Sequence, residues 1–199
     1  MKARDFRAKA WAACKGNWGL VILAMFINAI IVGIAGAIPG VGSLITIVIT
    51  GPLTLGITII FSKLVKGEKA ELVNLFDGFK NFVPSFLLYL LVSIFTFLWS
   101  LLFVIPGIVM SYAYSMSFYI LKDNPELTAN EARKQSIEMM RGNKWRLFCL
   151  DLSFIGWSLL SILTLGILML WVAPVMQASH AAFYESLKPA PAAAEEVAE

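Results

Sequence analysis

Charge is scarce in this chain: Asp, Glu, Lys and Arg supply 15% of 199 residues, while hydrophobic residues supply 59%. An ordinary soluble domain is about 25% charged and about 45–50% apolar. Cysteine and histidine are scarcer still, with only Cys14, Cys149 and His180 present. Two cysteines exclude a disulfide scaffold, and no Cys/His spacing indicates a metal centre. No phosphate loop, dinucleotide fingerprint, metalloprotease motif or nucleophile elbow is present. No catalytic residue, cofactor or metal is therefore assigned, and the protein is expected not to be an enzyme. The high apolar content excludes a disordered chain and leaves more apolar surface than a small soluble body can hide. What remains is an all-α integral membrane protein.

The missing charges fall in blocks. Residues 18–62 and 81–121 contain no Asp, Glu, Lys or Arg, and residues 147–184 contain only Asp151. One crossing needs roughly 20 apolar residues, so each block suits two crossings. Turn residues lie near the middles: Pro39-Gly40, Pro106-Gly107 and the weaker Leu165-Gly166. The expectation is six transmembrane helices in three hairpins, spanning about 18–38, 43–62, 83–105, 108–121, 145–164 and 168–185.

All 16 Lys and Arg residues lie outside the hairpin tips, in the N-terminal segment, the two links and the tail. The positive-inside rule places both termini in the cytoplasm. The net charge of +3 is read as this topology signal. Without a motif that reads bases, it gives no nucleic-acid partner. A cleaved signal peptide is not expected, because the apolar stretch from Trp18 to Ile34 exceeds the usual 7–15-residue core. Cys14 and Cys149 should face a reducing compartment as inert thiols.

Each hairpin follows a charged segment that ends near a glycine: Gly16, Gly78 and Gly142. The period of about 60 residues points to three repeat units, 1–65, 66–124 and 125–187, within one membrane domain spanning 1–187. Residues 188–199 read as a disordered acidic tail. Leu72, Leu75, Phe76 and Phe79 form an apolar stripe at helical spacing, predicting a surface helix over 69–80. A second surface helix is expected over 127–141. It starts either at Asn124-Pro125 or at a Thr128/Glu131 capping box, and stops at Gly142. Phe6, Trp11, Trp18, Phe76, Phe79 and Trp145 are the expected membrane-surface anchors. The alternative is that these helices pack on the protein itself.

Several stretches together resemble one family. They are Phe6 to Trp18, Leu75-Phe76-Asp77-Gly78-Phe79, Ile105-Pro106-Gly107-Ile108, Tyr112 to Tyr119 leading into Asp123-Asn124-Pro125, Ser136 to Asn143, Leu152 to Trp157, and Phe183-Tyr184. The family is the bacterial integral membrane family known as domain of unknown function 975. The resemblance implies a bacterial cytoplasmic (inner) membrane location but carries no activity. A more distant likeness to the membrane region fused to some glycerophosphodiester phosphodiesterases implies a lipid setting.

Candidate chemistry lies in few side chains. Asp151 sits five residues after Arg146 and His180 five before Glu185, on neighbouring antiparallel spans. The two therefore share a depth and can pair, either as a static clamp or as a proton or headgroup site. Asn28, Gln177 and Tyr112 are further candidate intramembrane polar residues. Thr46, Thr50, Thr54 and Thr58 on one face, and Tyr112, Ser115 and Tyr119 on another, either line a polar path or bond the backbone. Pro52 and Pro174 occupy matching places in returning helices, a pattern of transporter sites that membrane helices also tolerate without transport. A Ser153–His180–Asp151 triad exists on paper. Two readings stay open: a small transporter or lipid/peptide-translocating protein, and a membrane scaffold that recruits partners through its surface helices. Membrane lipids are the expected partners, with a lipid, a peptide or another membrane protein as ligand. The sequence sets no oligomeric state.

Overall fold

A computed structural model describes residues 3–164 and 166–188. Among the described residues every regular element is helical. The chain begins with α1 (Ala3–Cys14), α2 (Trp18–Gly36) and α3 (Gly42–Lys66). Two 3-10 turns, Leu72–Leu75 and Asp77–Asn81, lead into α4 (Phe82–Leu102), α5 (Val104–Tyr114) and α6 (Ser117–Asp123). The last part holds α7 (Ala129–Met139), α8 (Lys144–Leu152), α9 (Ile155–Leu163) and α10 (Met169–Leu187). The acidic tail expected at the end falls, beyond Lys188, outside the described residues.

Five stretches are long and apolar enough to cross a membrane: Trp18–Gly36, Gly42–Lys66, Leu72–Leu102, Val104–Asp123 and Lys144–Ile162. This is a helical membrane protein. The sixth expected span corresponds to α10, which is absent from those five. Gln177, Ser179, His180, Tyr184 and Glu185 lower its hydropathy. It is also closely enclosed, with Val175, Ala178, Ala181 and Phe183 almost fully buried. A helix surrounded by protein need not be apolar on every side.

The core lies between α3 and α10. α3 packs on α2, α4, α6 and α10, and α10 also receives α1, α2, α8 and α9. Both helices continue through their prolines, and Pro52 and Pro174 are buried. α3 ends on Gly67 in the left-handed conformation, with Lys63 and Lys66 in its last turn, where the helix dipole favours cations.

Four expectations change. The second hairpin turns at Phe103, whose backbone is extended, and Pro106-Gly107 falls inside α5. Proline suits a helix's first turn, where amide hydrogens lack intrahelical partners anyway. The turns at Gly40 and Gly166 are present, both glycines having positive φ, while Leu165 lies outside the described residues. Second, the fourth and fifth spans are each broken into two helices, at Ser115–Met116 and at Ser153–Phe154.

Third, residues 69–80 form no α-helix. The two 3-10 turns press their backbone onto α3, where a Cβ at Gly56 would overlap the Leu75 carbonyl oxygen and one at Gly78 would overlap that of Pro52. Leu75 is buried there, while Phe76 stays half exposed and Phe79 intermediate. Tertiary contact has overridden the helical period. Fourth, the inner faces of α1 and α7 meet protein instead of lipid. Ala10 and Cys14 of α1 and Ala132 and Ser136 of α7 are fully buried, and such small side chains let helices approach closely. Burial pushes the Cys14 thiol up to about 11, the inert thiol expected of it. The Thr128/Glu131 capping box starts α7, and Gly142 with positive φ follows its end. Pro125 stands outside the helix.

Candidate functional site

Asp151 is the second-last residue of α8, and His180 lies in the second half of α10. Their side chains meet, with His180 Nε2 2.6 Å from Asp151 Oδ1. With the carboxylate ionised, the imidazole N–H is the donor. Each side chain is about one-fifth exposed, 21% for Asp151 and 23% for His180. Tyr112 of α5 faces the same carboxylate. Three of the five candidate polar residues thus converge from three helices. Asn28 and Gln177 do not join them and make no side-chain hydrogen bond among the described residues.

The cluster sits beside both helix breaks. Tyr112 precedes the Ser115–Met116 break by three residues, and Asp151 precedes the Ser153–Phe154 break by two. Each break frees backbone groups that lipid cannot satisfy. At the first, the buried Ser136 hydroxyl of α7 accepts from the Met116 N–H at 3.2 Å and donates to the Ala113 carbonyl at 2.7 Å. At the second, Arg7 of α1 donates to the Ser153 carbonyl at 3.0 Å. α7, expected to coat the membrane surface, and α1 thus each hold one broken span together.

Other candidates spend their polar groups locally. Thr50, Thr54 and Thr58 each donate to the carbonyl four residues earlier, at 2.6, 2.7 and 2.8 Å, so these three hydroxyls are spent on the backbone, while the Thr46 hydroxyl is buried with no hydrogen-bond partner among the described residues. Ser115 donates to the Tyr112 carbonyl, and Tyr119 stacks on Tyr184 at 5.0 Å, which splits the second proposed face. The Ser153 hydroxyl donates to the Leu150 carbonyl at 2.6 Å, away from the role a triad would need. Among the described residues no group of three or more His, Cys, Asp or Glu side chains gathers as a metal site. Of the expected surface anchors, Phe6 is buried in an edge-to-face pair with Phe183 at 5.2 Å. Phe6 is therefore a packing residue. Trp11 pairs with Trp18 at 5.3 Å and remains half exposed, and Trp145 is mostly exposed beside Phe148.

The family model described as Protein of unknown function (DUF975) matches residues 1–111 and 101–190. The chain belongs to that family. No curated protein and no solved structure matches it. The site of this DUF975 chain is therefore read from its own geometry.

Sequence reasoning missed two features. One is the pair of stitches made by Arg7 and Ser136. Arg7 is one of several cations in the first segment, and Ser136 shares a helical face with Ala129 and Ala132, so neither stood out in the sequence. The other is an ion-pair network that ties the ends of α3, α6 and α10. The Tyr184 hydroxyl donates to Asp123 at 2.8 Å, Lys188 pairs with Asp123 and with Glu185, and Lys66 reaches Glu185 at 3.7 Å. Burial disfavours the Lys188 ammonium, but Asp123 and Glu185 outweigh it and hold its pKa above the ordinary value.

Proposed function

We propose that this protein is a small non-enzymatic transporter that moves a lipid, a peptide or a similar amphiphile. It acts in the bacterial inner membrane, with α10 as a sixth crossing and both termini in the cytoplasm. The observation that supports this is the position of Asp151, His180 and Tyr112 beside two discontinuous helices. Ionisable side chains within a membrane are costly to bury and usually mark a pathway or proton relay. Half-helices with unwound backbone are where transporters build their sites. The Asp151–His180 contact joins α8 to α10, so cargo that displaces it would release a polar link between the two halves of the third hairpin.

The test is a vesicle assay with fluorescently labelled phosphatidylglycerol in both leaflets and an impermeant reductant outside. Full-length protein should let bleaching reach inner-leaflet probe, and Asp151→Asn that still folds should stop it. Bleaching equal to that of protein-free vesicles would rule out lipid translocation. The remaining reading is a scaffold that recruits partners at the membrane surface. It draws on five cavities among the described residues, none of which is lined by Asp151 or His180, and on the exposed Lys9, Lys15, Lys134 and Arg141 near α1 and α7. Under that reading Asp151→Asn lowers stability alone.

A further inference from the structure

A cavity of about 360 Å³ opens between α1, α9 and α10, apart from the Asp151–His180 pair. Arg4 and Arg7 stand at its α1 side, and Trp11, Trp157 and Trp171 line its walls with Val172. No acidic side chain lines it. Arg7 donates through one guanidinium nitrogen to the Ser153 carbonyl and lies over the Phe154 ring at 5.9 Å, and its guanidinium has further N–H donors beyond that bond. Arg4 is exposed and has no ion-pair partner among the described residues. The three indole N–H groups likewise have no hydrogen-bond partner among the described residues.

This combination fits one kind of occupant. Paired guanidiniums match a phosphate through charge-assisted, bidentate bonds. Indoles offer an apolar ring against which a lipid chain can lie. The apolar wall of α10 from Leu168 to Val175 covers about 10 Å of helix at 1.5 Å per residue. The volume is at the lower end of the ~300–1,000 Å³ of ligand pockets. It suits a headgroup and the upper part of one chain, not a whole two-chain lipid.

We propose that this groove binds one anionic phospholipid of the surrounding membrane, its phosphate on Arg4 and Arg7 and its upper chain against Trp157, Trp171 and Val172. The site does not depend on transport. A bound lipid would also brace α1 against the broken fifth span, because Arg7 serves both the phosphate and the Ser153 carbonyl.

The test is native mass spectrometry of the full-length protein after exposure to vesicles of equal phosphatidylglycerol and phosphatidylcholine. One phosphatidylglycerol should be retained, with a preference of roughly tenfold, the worth of one charge-assisted contact. Arg4→Gln should reduce that preference, and Arg4→Gln with Arg7→Gln should abolish it. Lys134→Gln with Arg141→Gln removes the same charge from the α7 region and should leave it intact. Because Arg7 also supports the backbone, Arg4→Gln and Trp171→Ala carry the test if the double variant fails to fold. Equal retention of both lipids, or equal loss in the α7 variant, would overturn the proposal. Displacement of the lipid by millimolar inorganic phosphate would also overturn it, in favour of a free-anion site.

Discussion

The first hairpin, α2 and α3, runs unbroken and carries no ionisable side chain before Lys63, whereas the third is interrupted at Ser153–Phe154 and holds Asp151 against His180. In the first, both helices run without a break, and the Thr50, Thr54 and Thr58 hydroxyls bond to their own turns. In the third, Arg7 must come from another helix to satisfy a carbonyl. The first hairpin is a frame without breaks, its α3 packed against α4, α6 and α10. The third is buried in the core as well, but its two halves are joined at the break by single polar contacts, Arg7 to the Ser153 carbonyl and Asp151 to His180, and under the proposed function these are the contacts that cargo exchanges.

The largest expected effect distinguishes the two at single glycines. Gly56→Leu forces a side chain into the backbone of Leu75 and should cost more than ~3 kcal/mol. Gly156→Leu in α9 meets nothing within 4 Å and should stay within ~0.5 kcal/mol. Thermal unfolding in detergent measures both, and similar losses would remove the contrast between frame and movable part. A smaller effect is expected at the first break. Ser136→Ala leaves the buried Met116 N–H and Ala113 carbonyl without their partner, at about 1–3 kcal/mol. Limited proteolysis should then cut near residues 114–117 before any other site; unchanged resistance would mean that the hydroxyl is not the stitch described.

The smallest effect lies at the surface. Thr128→Ala should cost about 1 kcal/mol through loss of the α7 cap. Hydrogen bonds from Thr128 hold the Glu131 carboxyl below its ordinary pKa. Its contribution is complete above the unfolded value and fades as pH falls through the lowered folded value. Unfolding curves of the Thr128→Ala variant should lose that acid-side dependence, and a slope equal to the parent's would contradict the capping box.

These contrasts were partly legible in the residues. Blocks without charge gave the helical membrane class, because a charge in hydrocarbon is costly wherever it occurs. The Asp151–His180 contact followed from matched depth on antiparallel helices, and the α7 start from Thr128 and Glu131, which bond within one turn. The turn at Phe103 escaped because Pro106 fits a helix start as well as a stop. The 3-10 turns escaped because Leu72, Leu75, Phe76 and Phe79 have helical spacing, and only the surface of α3 near Gly56 selects another backbone. The breaks at Ser115 and Ser153 escaped for the same reason: their partners, Ser136 and Arg7, are 20 and 146 residues from Met116 and Ser153.

The central claim is that the Asp151–His180 contact governs the mobility of the third hairpin alone. Hydrogen exchange on the full-length protein in lipid nanodiscs, parent against Asp151→Asn, tests it directly. The account predicts faster exchange at residues 150–157 and in α9, with α2 and α3 unchanged. Unchanged exchange throughout, or acceleration spread equally over both hairpins, would contradict it.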